Sequence, residues 1–475
     1  MRVLATAYVK GMLPVEGRSV WADTFPEHER TAFPSLERDL DVDVAIIGAG
    51  LTGLWTAWHL MQRDPALRVA VVERETVGFG ASGRNGGWCS ALLPTSLSSI
   101  EAEHGGVAAT RMQQAMLDNV HAVVAFGADH GIGDACHLGG TITLARTQPQ
   151  VERLKSRVAE LERFGFAADY EWIGADEARR ACNATDVLGA IRTRTCATVH
   201  PLRLTHAVAR AADAAGARIL EHTTVEQIGP RRLTTAGGRI DAEVVMRATE
   251  GYTAQFAGEH RALLPIYSLM IATEPLTDEV WEEIGLAGRP TFHDGRRLII
   301  YGQRTNDGRI AFGGRGAPYH FGSKVRPEYD TDGGVRDLLT DALRELFPVL
   351  RHSAITHHWG GVLAAPRDWT PFVRFDRSAG VAAAGGYVGD GVATTHLAGR
   401  TLAALITGST ASGDDELVGL PWVGHTSRAW EPEPLRWLGV NGTRMAAARA
   451  DKVELRTGRP SRLWGGVIDR VLGRH

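Results

Sequence analysis

The residues best suited to chemistry are glycines, and they gather at turns that open helices. Gly48-Ala49-Gly50-Leu51-Thr52-Gly53 follows a mostly apolar run at 42–47 that suits a buried parallel strand. Leu54, Trp55, Trp58 and Leu60 then recur at helical spacing until Asp64-Pro65 stops them, and an apolar run at 69–72 ends at Glu73. Each part has a physical task in holding a dinucleotide. Gly48 permits the tight turn, Gly50 lets the backbone approach a diphosphate, and Gly53 lets helix and strand pack closely. The diphosphate rests on the helix N-terminus, where free N–H groups and the helix dipole favour negative charge. Glu73 accepts hydrogen bonds from ribose hydroxyls and would repel a 2′-phosphate, which disfavours NADP.

A second cluster separates nicotinamide from flavin. Gly78, Gly80, Gly83, Gly86 and Gly87 surround Ser82, Arg84 and Asn85 just after the ribose acid. Such a segment offers many N–H donors and can lie flat against a ligand. NAD needs no wrapping there, whereas the longer FAD must be held beyond its diphosphate. A third glycine turn, Gly385 to Val392, again opens a helix, expected to reach about residue 406.

These elements sit in a chain of 475 residues with 44% hydrophobic and 23% charged residues. The 52 basic and 55 acidic side chains nearly cancel, which argues against a nucleic-acid binder, and the apolar content excludes intrinsic disorder. No apolar run approaches the roughly 18 residues that cross a bilayer. Residues 1–17 are broken by Lys10 and read as too short for a secretory signal. The four cysteines form no CxxC pair, so neither a disulfide framework nor a metal site is indicated. Glycine is the outlying number: 55 residues, well above the usual share of roughly 7%.

The segment Gly80-Ala81-Ser82-Gly83-Arg84-Asn85-Gly86-Gly87 resembles the D-amino-acid oxidase superfamily of FAD-dependent amine oxidoreductases, and most of all its γ-glutamylputrescine oxidase branch. The likeness runs from about residue 38 to 408. It includes His200-Pro201, Ala248-Thr249, Ala272 to Pro275, Gly313-Gly314-Arg315, Trp359-Gly360-Gly361 and the turn at 385–392. The resemblance implies an α/β chain: a Rossmann-like FAD-binding domain interleaved with a sheet-based α+β substrate domain, in the glutathione-reductase-like arrangement. The expected partition is 38–110, 196–262 and 355–408 for FAD, 111–195 and 263–354 for substrate, and 409–475 as a C-terminal arm. Expected FAD contacts are Gly48, Gly50, Leu51, Thr52, Gly53, Glu73, Arg74, Gly80, Ala81, Ser82, Gly83, Arg84, Asn85, Gly86 and Gly87. To these the resemblance adds Val225, Thr249, Gly386, Gly389, Asp390, Gly391 and Val392. Many relatives carry His where Asp390 stands, and an acid beside the flavin's N1 edge is unfavourable unless protonated or turned away.

Flavin amine oxidation needs the substrate's α-C–H over N5 for hydride transfer and a neutral amine, with imine hydrolysis afterwards. It requires no Ser-His-Asp set, so no catalytic side chain is assigned. Candidate pocket walls are Trp88, Tyr301, Arg315, Trp359 and Trp369; His357-His358 reads as structural. Glycine-oxidase-type members hold the substrate carboxylate with an Arg at the position of Leu363, which argues against simple α-amino acids here. Sarcosine-oxidase-type members place a Lys where Ala311 stands, which leaves the electron acceptor open. Arg315 could bind a distal carboxylate or phosphonate. Absence of a cysteine near Val362 implies non-covalent FAD. The reading is therefore an oxidase of a primary or secondary amine, using oxygen or another acceptor. A dehydrogenase or a non-catalytic flavin-bearing subunit are the alternatives, a cytoplasmic location is the default, and the arm offers a route to oligomers.

Overall fold

The computed structural model describes residues 15–408, 414–461 and 463–466. The first fourteen residues of the stretch read for a signal, and 409–413 of the polar linker, lie outside these.

The apolar runs that precede the first glycine turn become the centre of a largely parallel sheet. Leu40–Ile47 pairs in parallel with Val69–Val72 on one side and Gly238–Arg247 on the other. Arg218–Leu220 extends it beyond Val69–Val72, and Val381–Gly385 joins Gly238–Arg247 in parallel. Helices Leu51–Arg63, Pro201–Ala214 and Gly391–Thr407 supply a common core with the sheet, with Leu54, Trp55 and Leu397 fully buried. This is the α/β frame expected for dinucleotide binding.

A second, nine-stranded sheet carries the other half of the molecule. Its longest pairing joins Leu264–Thr273 antiparallel to Ile355–Ala365, and Ile310–Gly314 and Ile300–Arg304 follow. Ile355–Ala365 thus belongs to this sheet, although the expected partition puts it with the FAD segments. The apolar stripe of helix Gly333–Leu346 covers the sheet with Val335, Leu339, Leu343 and Leu346. A small three-stranded sheet of Trp88–Ser90, Cys196–Val199 and Cys136–Leu138 lies beside the flavin-loop segment.

The apolar run over 136–145 forms two strands. Gly140 takes φ +77°, so Cys136–Leu138 pairs in the small sheet and Thr141–Ala145 in the large one. The C-terminal arm packs on the body and contains a helix of its own. Trp422 and Trp430 are buried against the body, with the Trp430 indole donating to the Ala365 carbonyl at 2.8 Å. After Pro434, however, the chain forms a long helix, Leu435–Thr457. Its Asp451 carboxylate accepts the N–H groups of Arg297 and Leu298, each at 2.8 Å. Glu454 is fully buried and pairs with Arg153 at 2.9 Å. Removing the buried carboxylate leaves the partly exposed Arg153 and Arg297 without it, so Glu454→Ala should lower unfolding stability by about 1–3 kcal/mol. Denaturant melts of the two proteins check this. Among the described residues, no helix is long and apolar enough to cross a membrane.

Candidate active site

The strand Leu40–Ile47 delivers Gly48 at φ +107°, and Gly50 then caps helix Leu51–Arg63 without a side chain. A Cβ on Gly53 would lie 2.1 Å from the Gly48 carbonyl oxygen, so only glycine permits this contact. Glu73 closes the turn: one carboxylate oxygen accepts from the Ala49 N–H at 2.9 Å and the other from Glu75 N–H at 2.9 Å. Burial raises the pKa of Glu73, while those two backbone donors pull it down. The Ser82 hydroxyl accepts from the Leu51 N–H at 2.8 Å and so ties the second glycine cluster to the first.

These turns wall a cavity of about 540 Å³ that runs from Glu73 to the third glycine turn. Gly48, Gly50, Leu51, Thr52, Glu73, Arg74, Gly80, Ala81, Ser82, Asn85, Val225, Thr249, Gly389, Gly391 and Val392 all line it. Seven expected contacts lie behind this surface. Gly53 and Gly83 pack against backbone, with an added Cβ on Gly83 only 2.2 Å from the Gly78 oxygen. Gly86 packs on the Tyr301 ring and Gly87 on Gln303, while Gly386, at φ +77°, packs on Pro366. Arg84 bonds Asp330 at 2.8 Å and the Phe79 carbonyl at 2.9 Å, a tether between the loop and the large sheet's side. Asp390, the seventh, caps helix Gly391–Thr407 without a side-chain cap bond.

The flavin-loop segment is held by its own side chains. Asn85 donates to the carbonyls of Ala81 and Ser82 at 3.1 and 3.0 Å and accepts from the Gly87 N–H at 2.8 Å. Trp359, expected as a pocket wall, is fully buried, and its indole donates to the Arg84 carbonyl at 2.9 Å. It supports the loop from beneath. Trp369, at φ +63°, packs with Leu264, Val388 and Trp430 and does not line the cavity either. His357 bonds Asp23 at 2.8 Å, and His358 bonds the Met270 carbonyl at 3.0 Å and the Asp332 N–H at 3.0 Å; both are structural. All four cysteines are buried and free.

Trp88 and Tyr301, expected as pocket walls, meet edge to face with centroids 6.0 Å apart, His293 packs on Trp88 at 5.4 Å, and neither expected wall lines the cavity. The Tyr301 hydroxyl bonds Ser268 at 2.8 Å. Arg315, at the end of Ile310–Gly314, donates to the Val388 carbonyl. That bond grips the third turn, where Val388 takes φ +53° and Gly389 φ +99°.

Glu250 is the functional residue that sequence reasoning missed. Its carboxylate accepts from the N–H groups of Gly386 and Tyr387 at 2.9 and 3.2 Å and lines the cavity. The signal was its place directly after Ala248-Thr249, at the end of a parallel strand. Tyr387 in turn bonds Thr52 at 3.1 Å, so the first and third turns are locked together. Burial pushes the Glu250 pKa up to about 7. A raised carboxylate pKa means that the folded apoprotein binds more protons than the unfolded chain between about pH 4.5 and 7. Stability attributable to this group therefore falls as pH rises through that window and is flat above it. Glu250→Gln should remove a fall of about 2–3 kcal/mol, read from apoprotein stability at pH 5 and pH 8. Asp390, pushed up to about 6 by burial against the opposing pull of Arg315, adds its own fall in the same window, which the substitution leaves in place.

A glycine turn on a helix N-terminus, an acid at the end of the next strand and a cavity lined from both sheets are the features of a dinucleotide-binding protein. The profile of the family described as "DAO: FAD dependent oxidoreductase" matches residues 43–405, and the chain belongs to that family. It is 29% identical over 395 residues to gamma-glutamylputrescine oxidoreductase of Escherichia coli (strain K12), covering 82% of this chain and 89% of that one. It is likewise 29% identical over 409 residues to the probable oxidoreductase OrdL of Rhizobium meliloti (strain 1021), covering 84% and 90%. The fold is similar to that of glycine oxidase from Geobacillus kaustophilus, with TM-score 0.68 at 22% identity, covering 82% of this chain and all of that one. L-proline dehydrogenase from P. horikoshii aligns with TM-score 0.65 at 20% identity, covering 80% and 98%. The protein is an FAD-dependent oxidoreductase, and a cavity lined from Glu73 to the third glycine turn, with an uncapped helix N-terminus, fits that cofactor.

Proposed function

We propose that this protein is an oxidase of a primary or secondary amine, releasing imine or aldehyde and hydrogen peroxide. The observation that carries the reading is Leu363. It places an apolar side chain on the cavity wall, while the guanidinium of Arg315 is engaged by Val388. A site with no free guanidinium clamp at that wall favours an amine over a simple α-amino acid. The 29% identity to a gamma-glutamylputrescine oxidoreductase supports the same substrate class.

Bound FAD supplies a two-electron acceptor for a hydride from the substrate's α-carbon. The chain's own task is placement. Backbone N–H groups of the first turn would receive the diphosphate, Glu73 the ribose, and Gly80, Ala81, Ser82 and Asn85 of the second cluster the ring system. Gly386 to Gly391 close the opposite edge, fixed by Glu250 and Arg315. In this reading the FAD domain takes 38–110, 196–262 and 366–408, and Ile355–Ala365 goes with the sheet of the substrate domain, 111–195 and 263–354. With all four cysteines buried, FAD is held non-covalently, so acid precipitation should leave it in the supernatant.

A dehydrogenase passing electrons to a partner or quinone is the second reading. Ala311, fully buried in its strand, provides no ammonium to assist oxygen. Amine-dependent peroxide formation in air, measured against turnover with an artificial acceptor, separates them. Peroxide matching substrate consumed supports the oxidase; turnover only with the dye supports the dehydrogenase.

A further inference from the structure

Three successive peptides of the second glycine cluster have their carbonyls held by side chains from three separate elements. The Trp359 indole donates to the Arg84 carbonyl at 2.9 Å, the Trp21 indole to the Asn85 carbonyl at 2.9 Å, and the Gln303 amide to the Gly86 carbonyl at 2.7 Å. The N–H groups of the two outer peptides are satisfied within the loop. Asn85 N–H donates to the Ala81 carbonyl at 3.0 Å, and Gly87 N–H to the Asn85 side chain at 2.8 Å. The middle peptide differs: the Gly86 N–H has no acceptor among the described residues.

In a trans peptide the N–H and C=O groups point in opposite directions. Trp21 and Trp359 share a buried cluster and neither lines the cavity, whereas Asn85 does. The Trp21 indole therefore draws the Asn85 carbonyl to the core side and turns the Gly86 N–H the other way. Trp21 is itself well anchored. Val15–Glu16 pairs in parallel with His357–His358, Gly17 N–H donates to the His358 carbonyl at 2.8 Å, and Asp23 bonds His357 at 2.8 Å. The Trp21 ring is buried edge to face with Trp359, centroids 6.3 Å apart. All of this precedes residue 43, where the match to the family profile begins.

Resting on the reading that the second cluster receives the flavin ring system, we infer that Trp21 is a positioning residue for the cofactor. It fixes the Asn85–Gly86 peptide so that the Gly86 N–H donates to the bound ring. A backbone donor with no acceptor in the protein is satisfied by a ligand or by water, and one fixed in advance needs no reorganisation when the ligand arrives.

The test labels Asn at its carbonyl carbon and Gly at its nitrogen, which marks only Asn85–Gly86 and Asn441–Gly442 in this sequence. Amide exchange followed by NMR then reports the Gly86 N–H directly, with Gly442 as internal reference. In the wild type, loading with FAD should slow Gly86 exchange at least about tenfold. Trp21→Phe keeps a ring in the cluster and removes the donor. With FAD bound, Gly86 in this variant should exchange at least about tenfold faster than in the wild type, and without FAD at the same rate. A merely structural role would speed exchange in both states. Should Trp21→Phe hold no flavin, β-(3-benzothienyl)alanine at position 21, which replaces only the indole N–H by sulfur, decides. Equal protection by FAD in wild type and variant overturns the role of Trp21 and leaves the cofactor reading standing. A wild type in which FAD gives Gly86 no protection overturns that reading and the inference together.

Discussion

Gly53→Ala is expected to fold yet purify without yellow colour. The new methyl group would sit 2.1 Å from the Gly48 carbonyl oxygen and 3.1 Å from the Ile46 side chain. Neither neighbour can yield, since one is backbone in the tight turn and the other is the fully buried Ile46 of the central strand. Helix Leu51–Arg63 must therefore lift from the sheet, which costs about 1–3 kcal/mol in packing. The larger effect is on binding. The helix N-terminus would no longer point its N–H groups at the diphosphate, and FAD affinity should fall at least about 100-fold, or about 2.7 kcal/mol. The ratio of flavin absorbance at about 450 nm to protein absorbance, before and after reconstitution, reads this directly. A fully yellow variant would refute the assigned role of the turn.

Arg315→Ala should be nearly as damaging, through geometry instead of cofactor affinity. Its guanidinium reaches from the large sheet to the Val388 carbonyl, in a turn that carries two successive residues at positive φ. Such a conformation persists only where neighbours over-determine it. Glu250 holds the same turn from the other side through Gly386 and Tyr387. With Arg315 gone, the turn would shift, and Asp390 would lose the charge that restrains its pKa. Misplacement by about 1 Å can cost roughly 100-fold in rate. We therefore expect kcat/KM to fall about 100-fold with FAD content close to wild type, and Arg315→Lys to recover part of it by restoring a single donor. Steady-state kinetics on an amine that reduces the flavin check both; an Arg315→Ala enzyme with unimpaired kcat/KM would contradict the claim.

The first glycine turn was legible because strand, turn, helix and acid are contiguous, and local sequence dictates each. Helix Leu51–Arg63 ends where Asp64-Pro65 stops it. The helix Gly106–Asp129 carries Met112, Met116, Val120 and Val123 on a buried stripe, a signal that periodicity offers but that the motifs overshadowed. Other features depend on contacts that no local pattern encodes. The C-terminal helix has weak amphipathicity, lies between prolines and glycines, and is fixed by Asp451 and Glu454 reaching residues more than a hundred positions away. An isolated acid such as Glu250 looks like any surface acid until the fold brings Gly386 and Tyr387 to it. Trp359 matched a pocket wall by type and position, yet its strand turns it inward beneath Arg84. The break at Gly139-Gly140 likewise answers to two sheets that compete for one apolar run.

The central claim is that this FAD-dependent fold oxidises amines. Anaerobic titration of the purified yellow protein with a panel of primary amines, secondary amines and simple α-amino acids tests it most directly. The account predicts that at least one amine bleaches the flavin band in a single turnover, that glycine does not, and that admitting air restores the colour. A protein that releases NAD and no flavin, or a flavin that no amine bleaches, would contradict it.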